Sequence, residues 1–311
     1  MVVAGVFLVA RLYPVFHTGL DINVAGNHFN LIAVIGGITI LVAAGLALGL
    51  AAATEFITAV PCAVIGLWLV RGDGPGALRR VLALALGALA PLAVVAGYNT
   101  ACFGAPWRTG YSFVTNPVFV AGHARGLMGI SWPRPDALAL SLFGPSRGLC
   151  VLAPVSVFGL AGLVVTMRRA DRTPRAFAIA LAALLVVNAG YYMWWGGAST
   201  GPRHVVPVFA ALSIGIAECL ARPRWRAVVW LAGIASVLSM AGFASVGVEA
   251  PERVDALTGY LWPHLARGDL ASLAGASNLG IELGFSRGGS LGLLLAWWLV
   301  GGQALMARAR G

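Results

Sequence analysis

Charged residues are scarce in this sequence. Only 10% of its 311 residues are charged, and because Lys is absent all 21 basic residues are Arg. Soluble domains carry about 25% charged residues. With 59% hydrophobic residues and a mean hydropathy of +0.86, the composition excludes an ordinary soluble domain. The net charge of +10 does not indicate nucleic-acid binding, since most of the arginines lie in short stretches between apolar segments.

Motifs for nucleotides and metals are also missing. No GxxxxGK[ST] run and no GxGxxG run after a strand occurs, so an ATP-driven or nucleotide-sugar mechanism has no support. The four cysteines and five histidines have no metal-ligand spacing, and we interpret the cysteines as small apolar residues within helices. A disulfide between Cys102 and Cys150 would require both residues to lie on the external side.

Apolar runs recur at the length needed to cross a bilayer, about 20 residues. They predict an all-α polytopic transmembrane bundle of about eight spans that forms a single integral membrane domain over residues 1–311. The predicted spans are 31–53, 56–70, 81–98, 149–167, 176–195, 205–221, 227–247 and 290–307.

The arginines predict which loops are cytoplasmic. They cluster in the stretches 71–80, 168–175, 222–226 and 308–310, which the positive-inside rule places in the cytoplasm. The segments 99–148, 194–204 and 248–289 are then external, and the two long ones should contain short interfacial helices, one of them over about 251–267.

The topology of the first 70 residues stays open. Two spans between residues 31 and 70 would put residues 11–30 inside and Glu55 outside. One long unit broken at Pro61 would instead put residues 11–30 outside.

Residues 191–204 read YYMWWGGASTGPRH and lie between two predicted spans. Trp194 and Trp195 can anchor at the lipid–water boundary or stack on a sugar ring. The glycines allow a ligand to approach the backbone closely. Arg203 offers a planar fork of donors suited to a phosphate. The pattern favours a ligand that has a sugar, a phosphate and a lipid tail.

Three blocks of this sequence resemble polytopic glycosyltransferases of the GT-C superfamily, which use sugars carried on polyprenyl phosphate. The blocks together cover about residues 45–207. They read GLALGLAAATEF from Gly45, YN…FGAP…GY from Tyr98 with LFGPSRGL from Leu142, and WWGG…GPR from Trp194.

The resemblance implies a bacterial inner-membrane enzyme that moves a sugar from a polyprenyl-phosphate carrier to an acceptor on the external face, with or without a divalent metal ion. It also implies a catalytic carboxylate in the first external loop, often within an adjacent acidic pair. No two of the eleven acidic residues here are adjacent. We therefore expect a chain that lacks an N-terminal portion, whose start is misassigned, or that is a degenerate family member.

Two acids are candidates for the base that deprotonates the acceptor, namely Asp21 and Glu55. Tyr98 and Asn99, at the end of a span, are candidates for binding the acceptor. The candidates for binding the donor are Arg147, Trp194, Trp195, Arg203 and His204.

A second function class fits the same residues. The missing acidic loop favours a non-catalytic subunit that binds the lipid carrier, or a truncated relative whose site a partner subunit or an upstream segment completes. A small-molecule transporter is disfavoured because the span centres lack charged residues.

Overall fold

The computed structural model describes residues 21–303, except 25–26, 72–75, 170–171, 248, 253, 270–278, 287, 291, 294, 297–298 and 302. The described chain is largely helical, as predicted. Four of its helices are long and apolar enough to cross a membrane, which indicates a membrane protein. These segments are Gly37–Thr54, Ala77–Phe103, Arg172–Gly190 and Pro223–Val246.

The expected eight spans are not confirmed. Three predicted spans correspond to shorter apolar helices, which cover Phe56–Val70, Val155–Met167 and Val208–Leu220. The described residues between 288 and 303 are helical, but much of the predicted span 290–307 lies outside the described residues.

The described chain is helical as expected apart from two short strands, Asp21–Val24 and Asn27–Asn30, which pair antiparallel with Asp21 opposite Asn30. Polar and apolar residues alternate over Asp21–Val24, which is the two-residue period of a strand and not the 3.6-residue period of a helix. The contacts divide the chain into two compact units, Met1–Thr115 and Asn116–Gly311, where the sequence predicted one domain. Each unit is described by itself.

The described part of the first unit contains the two paired strands, three α-helices and two short 3₁₀ turns. The turns cover Phe56–Thr58 and Gly110–Phe113. The regular elements are β1 (Asp21–Val24), β2 (Asn27–Asn30), α1 (Leu31–Thr54), α2 (Ala59–Val70) and α3 (Ala77–Phe103).

Glycines bring α1 and α3 into backbone contact. A methyl group added at Gly45 would collide with the carbonyl oxygen of Leu84, and one added at Gly87 would collide with that of Val42. Between helices in lipid, association relies on close packing of this kind because lipid tails are as apolar as leucine.

Helices α1 and α2 form a folded-back pair. A methyl group added at Gly66 in α2 would lie 4.0 Å from Leu48 Cδ1 in α1. The connection begins at Glu55, where the backbone becomes extended before the 3₁₀ turn. This arrangement matches the two-element interpretation of residues 31–70 rather than one continuous unit, although α2 is shorter than a full span.

The regular elements in the described part of the second unit are helices. A π-helix covers Ala256–Leu261 and a 3₁₀ turn covers Arg203–Val205. The α-helices are α4 (Pro117–His123), α5 (Pro135–Phe143), α6 (Leu149–Leu152), α7 (Val155–Met167), α8 (Arg172–Gly190), α9 (Val208–Leu220), α10 (Pro223–Val246), α11 (Trp262–Arg267) and α12 (Leu279–Glu282).

Helix α8 is central to this unit, since 56% of the residues in its apolar stretch are buried, against 17% for α10. Helices α7 and α9 meet through glycine. A methyl group at Gly162 would collide with the carbonyl oxygen of Gly215, and one at Gly215 would collide with that of Gly159. Within the range 251–267, where a surface helix was predicted, the π-helix and α11 cover residues 256–267, and Ala256, Tyr260 and Leu261 of the π-helix are buried in a core cluster.

Large apolar side chains point outward from the long helices. Leu82 and Val94 on α3 are 59% and 72% exposed, and Trp230 and Leu231 on α10 are 60% and 66% exposed. In water, each of these side chains would lose a stabilisation of about 25 cal/mol for every Å² of apolar surface that is not buried. Lipid removes that penalty, which is consistent with helices that cross a membrane.

One end of the second unit carries an ion-pair cluster. Nη1 and Nη2 of Arg169 each donate to the carboxylate of Glu218 at 2.8 Å, and Nη2 of Arg222 donates to the same carboxylate at 3.0 Å. Arg169 and Arg222 come from two different stretches predicted to be cytoplasmic. The cluster therefore joins loops that the charge pattern places on one side.

The glycine contact between α7 and α9 predicts a stability difference. Gly215→Val should lower the melting temperature of the detergent-solubilised protein, because overpacking of this kind costs about 1–3 kcal/mol. Gly233→Ala, on α10, is the control, because nothing lies within 4 Å of a methyl group there. Replacing a helical glycine by alanine without a clash leaves stability equal or up to about 1 kcal/mol higher. Equal melting temperatures for the two variants would contradict the packing.

Candidate functional site

Arg147 is completely buried and connects three segments of the second unit. Its Nη1 donates to the carbonyl of Ser146 at 2.9 Å. Its Nη2 donates to the carbonyl of Ala250 at 2.8 Å and to that of Gly197 at 3.3 Å. All three segments were predicted to be external. A guanidinium is suited to this position because its fixed fork of donors can satisfy carbonyls in several directions.

The charge of Arg147 is only partly compensated. Burial lowers the pKa of its guanidinium, and the negative charge of Glu252 raises it. Its Nε is buried and has no hydrogen-bond partner among the described residues. The positive charge therefore lies under the loop that contains Gly197, with Glu252 as the acid that acts on it electrostatically.

The backbone conformation of residues 196–201, the glycine loop, requires glycine. Gly196 and Gly197 have φ values of +83° and +76°, a region that other residues rarely adopt. Gly196 donates to the carbonyl of Met193 at 2.9 Å, and the hydroxyl of Ser199 donates to the carbonyl of Gly201 at 3.0 Å. The loop is therefore fixed internally as well as by Arg147.

Arg203 lies beside the glycine loop with its guanidinium exposed. A methyl group at Gly196 would come within 2.9 Å of Arg203 Cγ, so the stem of Arg203 rests on that glycine. Among the described residues its guanidinium has no hydrogen bond or ion pair. His204 is buried and packs edge-to-face on Tyr191, with ring centroids 5.3 Å apart. Of these neighbours, Arg203 is the one whose donors face outward.

The two tryptophans precede the glycine loop and pack on each other edge-to-face at 5.9 Å. Asn188, at the end of α8, fixes them by donating from Nδ2 to the carbonyl of Trp194 at 3.1 Å and to Ser141 Oγ at 3.3 Å. The Nε1 of Trp195 is buried with no hydrogen-bond partner in the described part of the chain. Because both rings are only partly buried, the pair can present an aromatic face to a sugar or a lipid headgroup.

Arg147, Trp194, Trp195, Arg203 and His204 all belong to the second unit, and Arg147 and Arg203 both contact the glycine loop. The remaining candidates, Asp21, Glu55, Tyr98 and Asn99, belong to the first unit.

In the first unit, the backbone of Asp21 begins β1, and its side chain lies outside the described residues. Glu55 is half-buried at the connection between α1 and α2, where its carbonyl accepts from Thr58. Tyr98 is exposed and packs on Phe103, with ring centroids 6.1 Å apart. Asn99 is buried and donates to the carbonyl of Pro106 at 3.1 Å.

Sequence reasoning missed Glu252 and Asn188. Glu252 follows Pro251 in a predicted external loop, and no local motif links it to Gly197, 55 positions away in the sequence. Asn188 lies within a predicted apolar span, where a polar residue is a signal that could have identified it.

Sequence reasoning also did not predict the contacts around Tyr191 and Tyr192, at the start of residues 191–204. The hydroxyl of Tyr192 and Nε2 of His123 are 3.1 Å apart, and Tyr191 packs on Tyr192 with ring centroids 4.9 Å apart. Ser131 donates from its backbone to the carbonyl of Gly190 at 2.9 Å. The segment before the two tryptophans is therefore covered by residues 123–134.

No group of three or more His, Cys, Asp or Glu among the described residues is placed to hold a metal ion. No protein-family model, curated protein or solved structure matches this chain.

Removing the Arg147 guanidinium should loosen the loops that it joins. Arg147→Gln leaves the carbonyls of Gly197 and Ala250 without their charged donor, and each such bond contributes about 1.5–3 kcal/mol. We expect a lower melting temperature and faster protease cleavage within residues 191–204 and 249–261. Arg125→Gln, at an exposed arginine of the same unit, is the control and should change neither. Equal cleavage of the two variants would contradict the role of Arg147.

Proposed function

We propose that this chain is a membrane glycosyltransferase that transfers a sugar from a polyprenyl-phosphate carrier to an acceptor on the external face. The observation that carries the proposal is the outward guanidinium of Arg203 on a glycine loop fixed from beneath by Arg147. Four membrane-length helices supply the surroundings that a lipid-linked donor requires. The resemblance to GT-C glycosyltransferases points to the same chemistry.

Arg203 has the features of a phosphate ligand. Its donors are not used by other described residues, and its stem is held against Gly196. An arginine binds phosphate through two parallel hydrogen bonds, and a fixed stem reduces the entropy lost on binding. As the sugar leaves, the phosphate gains negative charge, so a cation at this position stabilises the transition state more than the bound donor.

Trp194 and Trp195 provide the adjacent sugar-binding surface. Their mutual edge-to-face packing and the hydrogen bond from Asn188 hold the pair rigid. Aromatic faces bury the apolar face of a sugar ring. The tryptophans lie directly before the glycine loop in the sequence, and Arg203 packs on that loop, so the proposed sugar and phosphate ligands belong to one short segment.

The alternative is a membrane subunit that binds the lipid-linked sugar and does not transfer it. It is favoured by the sequence, because neither Asp21 nor Glu55 has an acidic neighbour of the kind the family uses. Both proposals require donor binding at Arg203, and they differ in whether the chain itself releases the sugar.

Donor binding tests what the two proposals share. Arg203→Ala should weaken binding of a synthetic decaprenyl-phosphate sugar at least about tenfold, since a charge-assisted hydrogen bond is worth about 1.5 kcal/mol or more. Arg224→Ala is the control, because Arg224 is exposed at the start of α10 in a stretch predicted to be cytoplasmic. Binding would be measured in proteoliposomes with decaprenyl-phosphate mannose, glucose and arabinose. Equal losses in the two variants would overturn the site.

A further inference from the structure

If the chain is a glycosyltransferase as proposed above, it needs a base near the phosphate ligand. Transfer requires a group that removes the proton of the acceptor hydroxyl while the phosphate departs. The second unit contains one acid beside the glycine loop, namely Glu252. Its Oε1 would lie 4.0 Å from a methyl group added at Gly197. Its side chain is exposed, so an acceptor can reach it.

The segment that carries Glu252 is fixed at both ends to the loop of Arg147. On one side Arg147 Nη2 donates to the carbonyl of Ala250 at 2.8 Å. On the other side the backbone N–H of Ala256 donates to the carbonyl of Pro145 at 3.2 Å. Because these two bonds flank Glu252 at a separation of six residues, the carboxylate stays close to the glycine loop.

Glu252 and Arg203 are adjacent to neighbouring glycines of the same loop. The stem of Arg203 rests on Gly196, and the carboxylate of Glu252 faces Gly197. The donors of Arg147 are directed to backbone carbonyls, and no described cation lies within ion-pair distance of Glu252. The carboxylate of Glu252 is therefore available to accept a proton at the loop on which Arg203 packs.

We propose that Glu252 is the catalytic base of the transfer reaction. Its carboxylate takes the proton of the acceptor hydroxyl, and a lone pair of that oxygen forms the new bond to the anomeric carbon of the sugar. The bond between the anomeric carbon and the phosphate oxygen breaks, and its electron pair stays on polyprenyl phosphate, which Arg203 stabilises. Glu252 then releases the proton to water. This assignment differs from the sequence candidates Asp21 and Glu55.

The test compares sugar release with donor binding in proteoliposomes that contain the full chain. The probe is radiolabelled decaprenyl-phosphate mannose, glucose or arabinose, and release of label from the lipid is measured with octyl glycosides, a serine-rich peptide and water as acceptors. Glu252→Gln keeps the shape of the side chain and removes the base. Glu249→Gln is the matched control, an exposed acid three positions earlier.

We expect Glu252→Gln to release sugar at least about 100-fold more slowly, the typical contribution of a general base. Its donor affinity should stay within about twofold of wild type, and Glu249→Gln should match wild type in both measurements. In Glu252→Ala, added formate should restore part of the rate, which a purely structural defect would not allow.

Two results would overturn the assignment while leaving donor binding intact. One is release by Glu252→Gln within about threefold of wild type, and the other is a wild-type chain that binds donor but releases no sugar with any acceptor. A wild-type chain that binds none of the three donors would overturn the proposed function itself, and the assignment of Glu252 with it.

Discussion

The candidate site depends on one buried guanidinium. Arg147 has no solvent exposure, and its hydrogen bonds end on carbonyls from its own loop, the glycine loop and the segment at Ala250. Burying a charge is costly unless its donors are satisfied, so these carbonyls have to stay where they are for Arg147 to remain inside. The positions of Arg203 and Glu252 follow from this requirement, because both contact the glycine loop that Arg147 fixes.

A second constraint comes from the surroundings of the helices. Helices that face lipid gain little by burying leucine against leucine, so they pack where small residues let the backbones meet. Gly45 and Gly87 serve this purpose in the first unit, and Gly162 and Gly215 in the second. Polar interactions are found instead at the helix ends, with the Arg147 network at one set of loops and the cluster around Glu218 at another. The arginine pattern predicts the first set of loops to be external and the second to be cytoplasmic.

The sequence predicted most of the helices because apolar runs and arginine clusters are local signals. It did not predict the paired strands Asp21–Val24 and Asn27–Asn30, whose composition was compatible with a loop, or the shortness of helices such as Val155–Met167. In the site, it identified Arg147 and Arg203 from their glycine-rich neighbourhoods but could not tell that one points inward and the other outward. That difference is set by carbonyls up to 103 positions away in the sequence.

The surroundings of Glu252 also could not be predicted from the sequence. An acid that follows a proline in a long loop has no distinguishing pattern, and its significance depends on Pro145, Arg147 and Gly197, which are distant in sequence. Asp21 and Glu55 became candidates from the sequence because they lie next to apolar segments, which is a local signal.

The close glycine contact between α7 and α9 also determines which helices of the second unit can move relative to one another. Where backbone meets backbone at Gly162 and Gly215, no side-chain rotamers are available to absorb sliding, so the two helices behave as one rigid body. Helix α10 has only 17% of its apolar window buried and is the least confined long helix of the unit. Helix α10 is therefore the long helix of this unit that can move with the least loss of packing, while the α7–α9 pair stays fixed.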